Sequence, residues 1–211
     1  MRYRKLVSCC LFFDFGNVIA FFDHRKACRQ LAMFSNGMFT DTEIYDELFQ
    51  AGGLEQRFDR GKISSEKFIN EIDLKFNLSA SAGEIEHAWC DIYSLNDPII
   101  ELLLNLKDKG YQLFLASNTN ELHYRWIKEK YACELSVFGD EVVSFKIGFL
   151  KPEKEFFEYC VDRSGVPSSQ CIFIDDRLDF VKVACEIGLS GICYSSISFL
   201  LNELREHRVK V

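Results

Sequence analysis

The sequence predicts an α/β protein, a doubly wound parallel sheet whose first strand is followed by an all-helical insertion. Short, wholly apolar runs recur along the chain, as strands covered on both faces require. Amphipathic stretches with helix start and stop signals alternate with the later runs. The stretch from His24 to Ile92, by contrast, carries helical signals and no strand-like run.

The first strand is expected over residues 6–13, with Asp14 ending it. The preceding Arg2-Tyr3-Arg4-Lys5 is charged where a signal peptide has its apolar segment. The run is also too short for a bilayer, which takes about 20 residues. In the insertion, Thr40-x-x-Glu43 and Ser81-x-x-Glu84 read as capping boxes, and Ser64 precedes Phe68, Ile69 and Ile72 at helical spacing. Gly52-Gly53 and Gly61 punctuate it. The sheet resumes near Tyr111. Asp97-Pro98 is expected as N-cap and first residue of a helix that stops at Gly110. A strand over 112–116 follows, then a helix from Asn120 to Tyr131 and another from Pro152 to about Gly165. Strands over 171–174 and 191–194 flank a helix over 178–187, and a final helix covers 197–207. The expected organisation is a core of residues 1–22 and 93–211 with a cap of residues 23–92. Such a cap lies over the crevice where open α/β sheets bind ligands, placed to exclude water and select substrate.

With 211 residues, 48% of them hydrophobic, the chain fits one mid-sized domain, alone or with a modest insertion. A net charge of −7 and dispersed basic residues argue against nucleic acid or a membrane as the main partner. The nine Cys are odd in number and form no C-x-x-C, which suits buried thiols in a reducing cytoplasm. The four His have no zinc spacing.

Four strand ends or helix starts present chemistry. Asp14 follows the first apolar run, and Gly16-Asn17 lets the chain turn beneath it; such a carboxylate serves as nucleophile, metal ligand or plain turn residue. Asp175-Asp176 follows another apolar run, where adjacent carboxylates call for a cation, or for a solvated turn with Arg177 as counter-charge. All-oxygen ligands favour Mg²⁺ over zinc. Ser117-Asn118 either holds phosphate oxygens or caps a helix. Lys151-Pro152, opening the next helix, brings an ammonium to the same edge or leaves it solvated.

Taken together, these residues resemble the four motifs of the haloacid dehalogenase-like hydrolases over nearly the whole chain. Leu11 to Val18 matches the first motif, Leu115-Ala116-Ser117-Asn118 the second, Gly148 to Pro152 the third and Phe173-Ile174-Asp175-Asp176 the fourth. The insertion falls where that family carries a C1-type cap on a Rossmann-like core. The resemblance implies a phosphatase in which Asp14 attacks phosphorus and forms an aspartyl-phosphate. It implies Mg²⁺ on Asp14, the Gly16 carbonyl and Asp176, with Asp175 close by or acting through water. Ser117 and the Asn118 N–H would hold the phosphoryl group, and Lys151 would offset its charge. The implied partner is a small phosphorylated metabolite, and the expected state is a monomer or weak dimer in the cytoplasm.

Two positions depart from the pattern. Most phosphatases of the family carry a second Asp, the general acid, where this chain has Gly16; Asp23 and His24, at the start of the cap, are either stand-ins or, more simply, a polar pair at the hinge. The Asp-x-Gly-Asn-Val form is similar to a branch that includes α-glucose-1-phosphate phosphatases. Phe180 stands where relatives often carry Asn. Dehalogenation and phosphomutase chemistry fit less well, the first being metal-independent and the second relying on the missing Asp. The alternative from another class is a catalytically weak domain that binds a phosphorylated metabolite or a protein. Specificity is expected from His24, Arg25, Arg57, Trp89 and Tyr93.

Overall fold

The computed structural model describes residues 10–211, so the expected strand start at residues 6–9 lies outside the described residues. The elements run β1 (Cys10–Phe13), β2 (Ala20–Phe22), α1 (His24–Phe34), α2 (Asp41–Phe49), α3 (Leu54–Asp59), α4 (Ser65–Phe76), α5 (Ala82–Cys90) and β3 (Tyr93–Leu95). They continue with α6 (Asp97–Asp108), β4 (Gln112–Ser117), α7 (Glu121–Lys130), α8 (Ala132–Leu135), β5 (Asp140–Val143) and α9 (Ser144–Ile147). The chain closes with α10 (Lys154–Ser164), a 3₁₀ turn (Ser168–Gln170), β6 (Cys171–Asp175), α11 (Leu178–Glu186), β7 (Ser190–Cys193) and α12 (Ile197–Glu206).

Five parallel strands form the main sheet in the order β5-β4-β1-β6-β7. β1 is central and buried on every residue, and this accounts for its unbroken apolar run. In register, Phe13 stands beside both Leu115 and Ile174. The residues that follow β1, β4 and β6 therefore leave the sheet at one edge. The order reverses on either side of β1, which makes that edge a topological switch point.

The helices α1 to α5 lie between β2 and β3, which pair antiparallel as a short ribbon. They enclose their own apolar cluster around Leu31, Phe58, Phe68 and Trp89, into which Leu122 of α7 also reaches. Both capping boxes are present, with Thr40 and Glu43, and Ser81 and Glu84, bonding reciprocally. Ser64 caps α4 and Asn120 caps α7.

Two helix starts differ from expectation, and three strands were not expected. Asn96 occupies the N-cap place of α6, and Asp97 is its first helical residue. Pro152 does not open α10: it follows a cis Lys151-Pro152 bond in a turn, and Glu153 precedes the first helical residue, Lys154. The edge strand β5 and the β2–β3 ribbon carry no long apolar run to reveal them.

Gly61 joins the helical layer to the sheet layer. Its φ is +65°, and a Cβ there would stand 2.1 Å from the Phe145 carbonyl oxygen. Gly61→Ala is expected to cost about 2 kcal/mol or more in denaturant unfolding, since left-handed strain adds to a backbone collision. A loss within about 0.5 kcal/mol, the range of an ordinary surface change, would contradict the close approach.

Candidate active site

Asp14 leaves β1 with its N–H donating to the Ile174 carbonyl at 2.9 Å. The turn below it closes through Asn17, whose N–H donates to Ala20 O at 2.8 Å and whose φ is 55°. Asn tolerates that left-handed geometry better than most residues. Its side-chain amide donates to Asp176 Oδ2 at 3.0 Å and so ties the first turn to the end of β6.

Lys151 sits at the centre of the site and is only 3% exposed. Its Nζ lies 2.8 Å from Asp14 Oδ1, 2.7 Å from Asp175 Oδ2 and 3.0 Å from Ala116 O. Those three bonds use all three of its protons. The Asn118 side chain holds the Lys151 backbone from both sides, accepting from its N–H at 2.8 Å and donating to its carbonyl at 3.0 Å. Phe156, Phe173 and Phe180 surround the ammonium with ring centroids at 5.9, 5.6 and 5.4 Å. Phe180, at the atypical position, thus contributes a cation–π face to Lys151 and another to Arg177.

The charges do not balance. Asp14, Asp175 and Asp176 place ligand oxygens within 4.8 Å of one another, against the single ammonium of Lys151. Burial pushes the Asp14 carboxyl up to about 7 despite the pull of Lys151, and Asp175 adds to the rise. Burial also raises Asp176, against its bond from Asn17. Burial opposes the Lys151 ammonium, but Asp14 and Asp175 outweigh it and hold it at about 12. A hard divalent cation answers this donor set, which is all oxygen and in excess of its counter-charge. Within the trio the parts differ. Asp175 is fully buried, with Oδ2 on Lys151 and Oδ1 accepting from the Arg177 N–H at 2.9 Å. It therefore braces the ammonium, while Asp14 and Asp176 line the cleft.

That cleft, of about 420 Å³, gathers Asp14, Ser117, Asn118, Lys151 and Asp176 from the sheet edge. The helical layer between β2 and β3 contributes His24, Glu55, Gln56 and Asp59. Ser117 is the last residue of β4 and caps no helix; its Oγ donates to Asn118 O at 3.2 Å. Gly16 lines the cleft as well, and a Cβ on it would fall 2.6 Å from Phe22 Cε1. The Phe22 ring fills the room that a side chain at position 16 would need.

The expected specificity residues divide. His24 and Tyr93 line the cleft. Arg25 instead stacks on Tyr45 at 4.4 Å, Arg57 pairs with Glu71 at 3.4 Å, and Trp89 is fully buried against His123. None of these three lines it. Asp23 caps α1 and pairs with Arg29, outside the cleft, so it is no stand-in for a carboxyl at position 16. Burial pulls the His24 imidazole down to about 4, which leaves it neutral near pH 7.

Sequence reasoning passed over Glu55, Gln56, Asp59 and His123. Glu55 and Asp59 are four residues apart on α3, between Gly52-Gly53 and Gly61, and that spacing was the available signal. His123 lies buried with its Nε2 3.0 Å from the Trp89 carbonyl. A carbonyl only accepts, so that nitrogen carries the proton and Nδ1 accepts from Asn120.

A family model described as haloacid dehalogenase-like hydrolase matches residues 10–184. D-ribitol-5-phosphate phosphatase of Bacteroides thetaiotaomicron is 27% identical over 182 residues, covering 83% of this chain and 86% of that protein. Flavin mononucleotide hydrolase 1 of Arabidopsis thaliana is 33% identical over 120 residues, covering 56% of this chain and 48% of that one. Among solved structures, a haloacid dehalogenase family enzyme of Bacteroides thetaiotaomicron in complex with magnesium and inorganic phosphate superposes with a TM-score of 0.78. It is 25% identical and covers 89% of this chain and 94% of its own.

Proposed function

The chain belongs to the haloacid dehalogenase-like hydrolases, and from that premise we propose that it is a Mg²⁺-dependent phosphatase of a small polyol or sugar phosphate. The observation that carries this reading is the buried Asp14 carboxylate, held by Lys151 at 2.8 Å on the floor of a cleft that also holds Ser117 and Asp176. Phosphoryl transfer asks a protein mainly for alignment and for cancellation of oxygen charge. Lys151 engages Asp14 Oδ1, which orients the carboxylate for in-line attack on phosphorus. The bond from phosphorus to the leaving oxygen then breaks, leaving an aspartyl-phosphate that water hydrolyses. Ser117 and the Asn118 N–H are assigned to the phosphoryl oxygens, and Lys151 to the charge between nucleophile and phosphate. Asp14, Asp176 and the Gly16 carbonyl would hold Mg²⁺, with Asp175 bracing Lys151 behind them. Bound there, the cation would polarise the phosphoryl group and offset its charge.

Residues 23–92 are read as the cap that closes over this chemistry. The cap side of the cleft is polar, with His24, Glu55, Gln56 and Asp59, and so suits a ligand rich in hydroxyls. The ribitol-phosphate activity of a relative over most of both chains supports the same substrate class. No helix among the described residues is long and apolar enough to cross a membrane. Cys28, Cys90 and Cys160 are buried thiols, which supports a cytoplasmic location.

Phosphate release from p-nitrophenyl phosphate, D-ribitol 5-phosphate, α-D-glucose 1-phosphate and flavin mononucleotide tests the proposal. Turnover is expected with Mg²⁺, to be abolished by EDTA and restored by excess Mg²⁺. Undiminished turnover in EDTA overturns it. Thermal stabilisation by one of these esters without any turnover favours the binding module instead.

A further inference from the structure

An alkoxide is a poor leaving group, so hydrolysis of an alkyl phosphate needs a proton donor near the bridging oxygen. Position 16 cannot supply one, for it is glycine and the Phe22 ring occupies the space beside it. We propose that Glu55 of α3, paired with Asp59, is the general acid that protonates the leaving oxygen; this rests on the phosphatase reading above.

Three sets of observations converge on Glu55. The first is placement. Glu55 and Asp59 lie one helical turn apart on α3 and line the same cleft as Asp14 and Ser117. Behind burial itself, the charges of Asp59, Asp14 and Glu55 all help to push the Tyr93 phenol well up. All three carboxyls line the same cleft as the Tyr93 ring. Glu55 remains partly exposed to the cleft, as a donor must, whereas Asp59 is buried.

The second is rigidity. Asp59 Oδ1 accepts from Asn120 Nδ2 at 2.9 Å, and Ser144 Oγ lies 2.7 Å from the Asp59 carbonyl. Arg60 grips Glu153 through two bonds of 2.9 and 2.6 Å. These contacts fasten the end of α3 to the segments that follow Ser117 and Lys151, a pre-organisation that proton transfer at a fixed distance requires. They also settle which acid is ionised. Asp59 takes the amide bond from Asn120, so the proton of the pair belongs on Glu55. Burial and then the Asp59 charge push Glu55 up to about 9.

The third is the failure of every other group facing the cleft. Burial leaves His24 neutral, so it has no imidazolium proton to give near pH 7. His123 has both ring nitrogens engaged, and burial pulls it down to about 3. The Tyr93 phenol is pushed away from proton transfer near neutral pH. Lys151 has spent its protons, and Arg177 is turned to Asp179. Asp176 and Asp14 are assigned to the cation and the attack.

The step balances. Asp14 forms a bond to phosphorus as the bridging P–O bond breaks. The leaving oxygen keeps that electron pair and takes the Glu55 proton, which releases the alcohol. Glu55, now a carboxylate beside Asp59, is driven to recover a proton. It takes one from the water that attacks the aspartyl-phosphate, and inorganic phosphate and free Asp14 result.

Glu55→Gln in the full chain with Mg²⁺, checked by its thermal melt, tests this through leaving-group dependence. For D-ribitol 5-phosphate or flavin mononucleotide, kcat/KM is expected to fall about a hundredfold or more, the usual range for a lost general acid. For p-nitrophenyl phosphate, whose phenolate leaves unaided, it should stay within about threefold. The alkaline limb of the alkyl-ester profile should disappear in Glu55→Gln. In Asp59→Asn, which removes the like charge, that limb should move to lower pH. Equal losses on both ester types, or an unmoved limb in Asp59→Asn, overturn the assignment, as does a wild type that hydrolyses only the p-nitrophenyl ester. No turnover on any ester refutes the phosphatase reading instead.

Discussion

Asp14→Asn is expected to lose at least about a thousandfold in kcat while gaining stability, because the proposed nucleophile is also a carboxylate whose charge burial disfavours. The amide keeps the shape of the carboxyl but cannot form the phosphoryl ester. Burial holds the folded carboxyl at about 7, against 3.8 for the unfolded group. Because the folded pKa is the higher one, the proton favours the fold. That contribution is complete below pH 3.8 and is lost as pH rises through about 7. In EDTA, the wild type should therefore weaken between pH 5 and 8 more steeply than Asp14→Asn. At pH 8 the variant should lead by about 2–4 kcal/mol, the scale of a shift of this size at a buried group. Denaturant melts at the two pH values, beside an ester assay, check both halves. Residual turnover of about a tenth or more would remove Asp14 from the nucleophile's place. A variant less stable than wild type at pH 8 would show that the Lys151 pair outweighs burial.

How far this site could be read in advance depended on whether a residue's setting is local. Asp14, Ser117 and Asp175 were legible because each terminates an apolar run, and a parallel sheet delivers such ends to one edge. The helical insertion was legible through its caps, since Thr40 with Glu43 and Ser81 with Glu84 bond within a single turn. β5 escaped because Asp140 and Glu141 begin it at the sheet edge, where polar residues are tolerated. Glu55 and Asp59 escaped for a different reason. On a helix two acids four apart look like a solvated face, and Asn120 and Ser144, which hold the buried Asp59, come from distant parts of the chain. Gly16 read as a missing acid, whereas the occupant of the vacated room, Phe22, became visible only once β2 was placed beside the turn.

Lys151 was the residue least distinguishable from surface by itself, and its loss should be the most damaging to the fold. Lys151→Met keeps the aliphatic stem among Phe156, Phe173 and Phe180 but leaves Asp14 and Asp175 buried without their ammonium. Removing one partner from a buried ion pair costs about 3–5 kcal/mol, more than the pair itself contributes, because the remaining charge is stranded. The folded ammonium, at about 12, lies above its ordinary 10.5, so its own contribution is constant below pH 10.5. Any pH dependence between 5 and 8 therefore comes from the carboxylates. Without Lys151 the Asp14 carboxyl is held up still more strongly, and the variant's deficit should be largest at pH 8 and shrink towards pH 5 as a proton replaces the lost cation. Mg²⁺, the other available positive charge, should raise the melting temperature of Lys151→Met by more than that of wild type. Turnover should stay low even in the folded, metal-loaded variant, because Asp14 Oδ1 has lost the group that orients it. Melts in EDTA and in Mg²⁺ at both pH values measure the effect. A deficit independent of pH and untouched by Mg²⁺ would mean that the lysine stem packs the core while its charge does nothing.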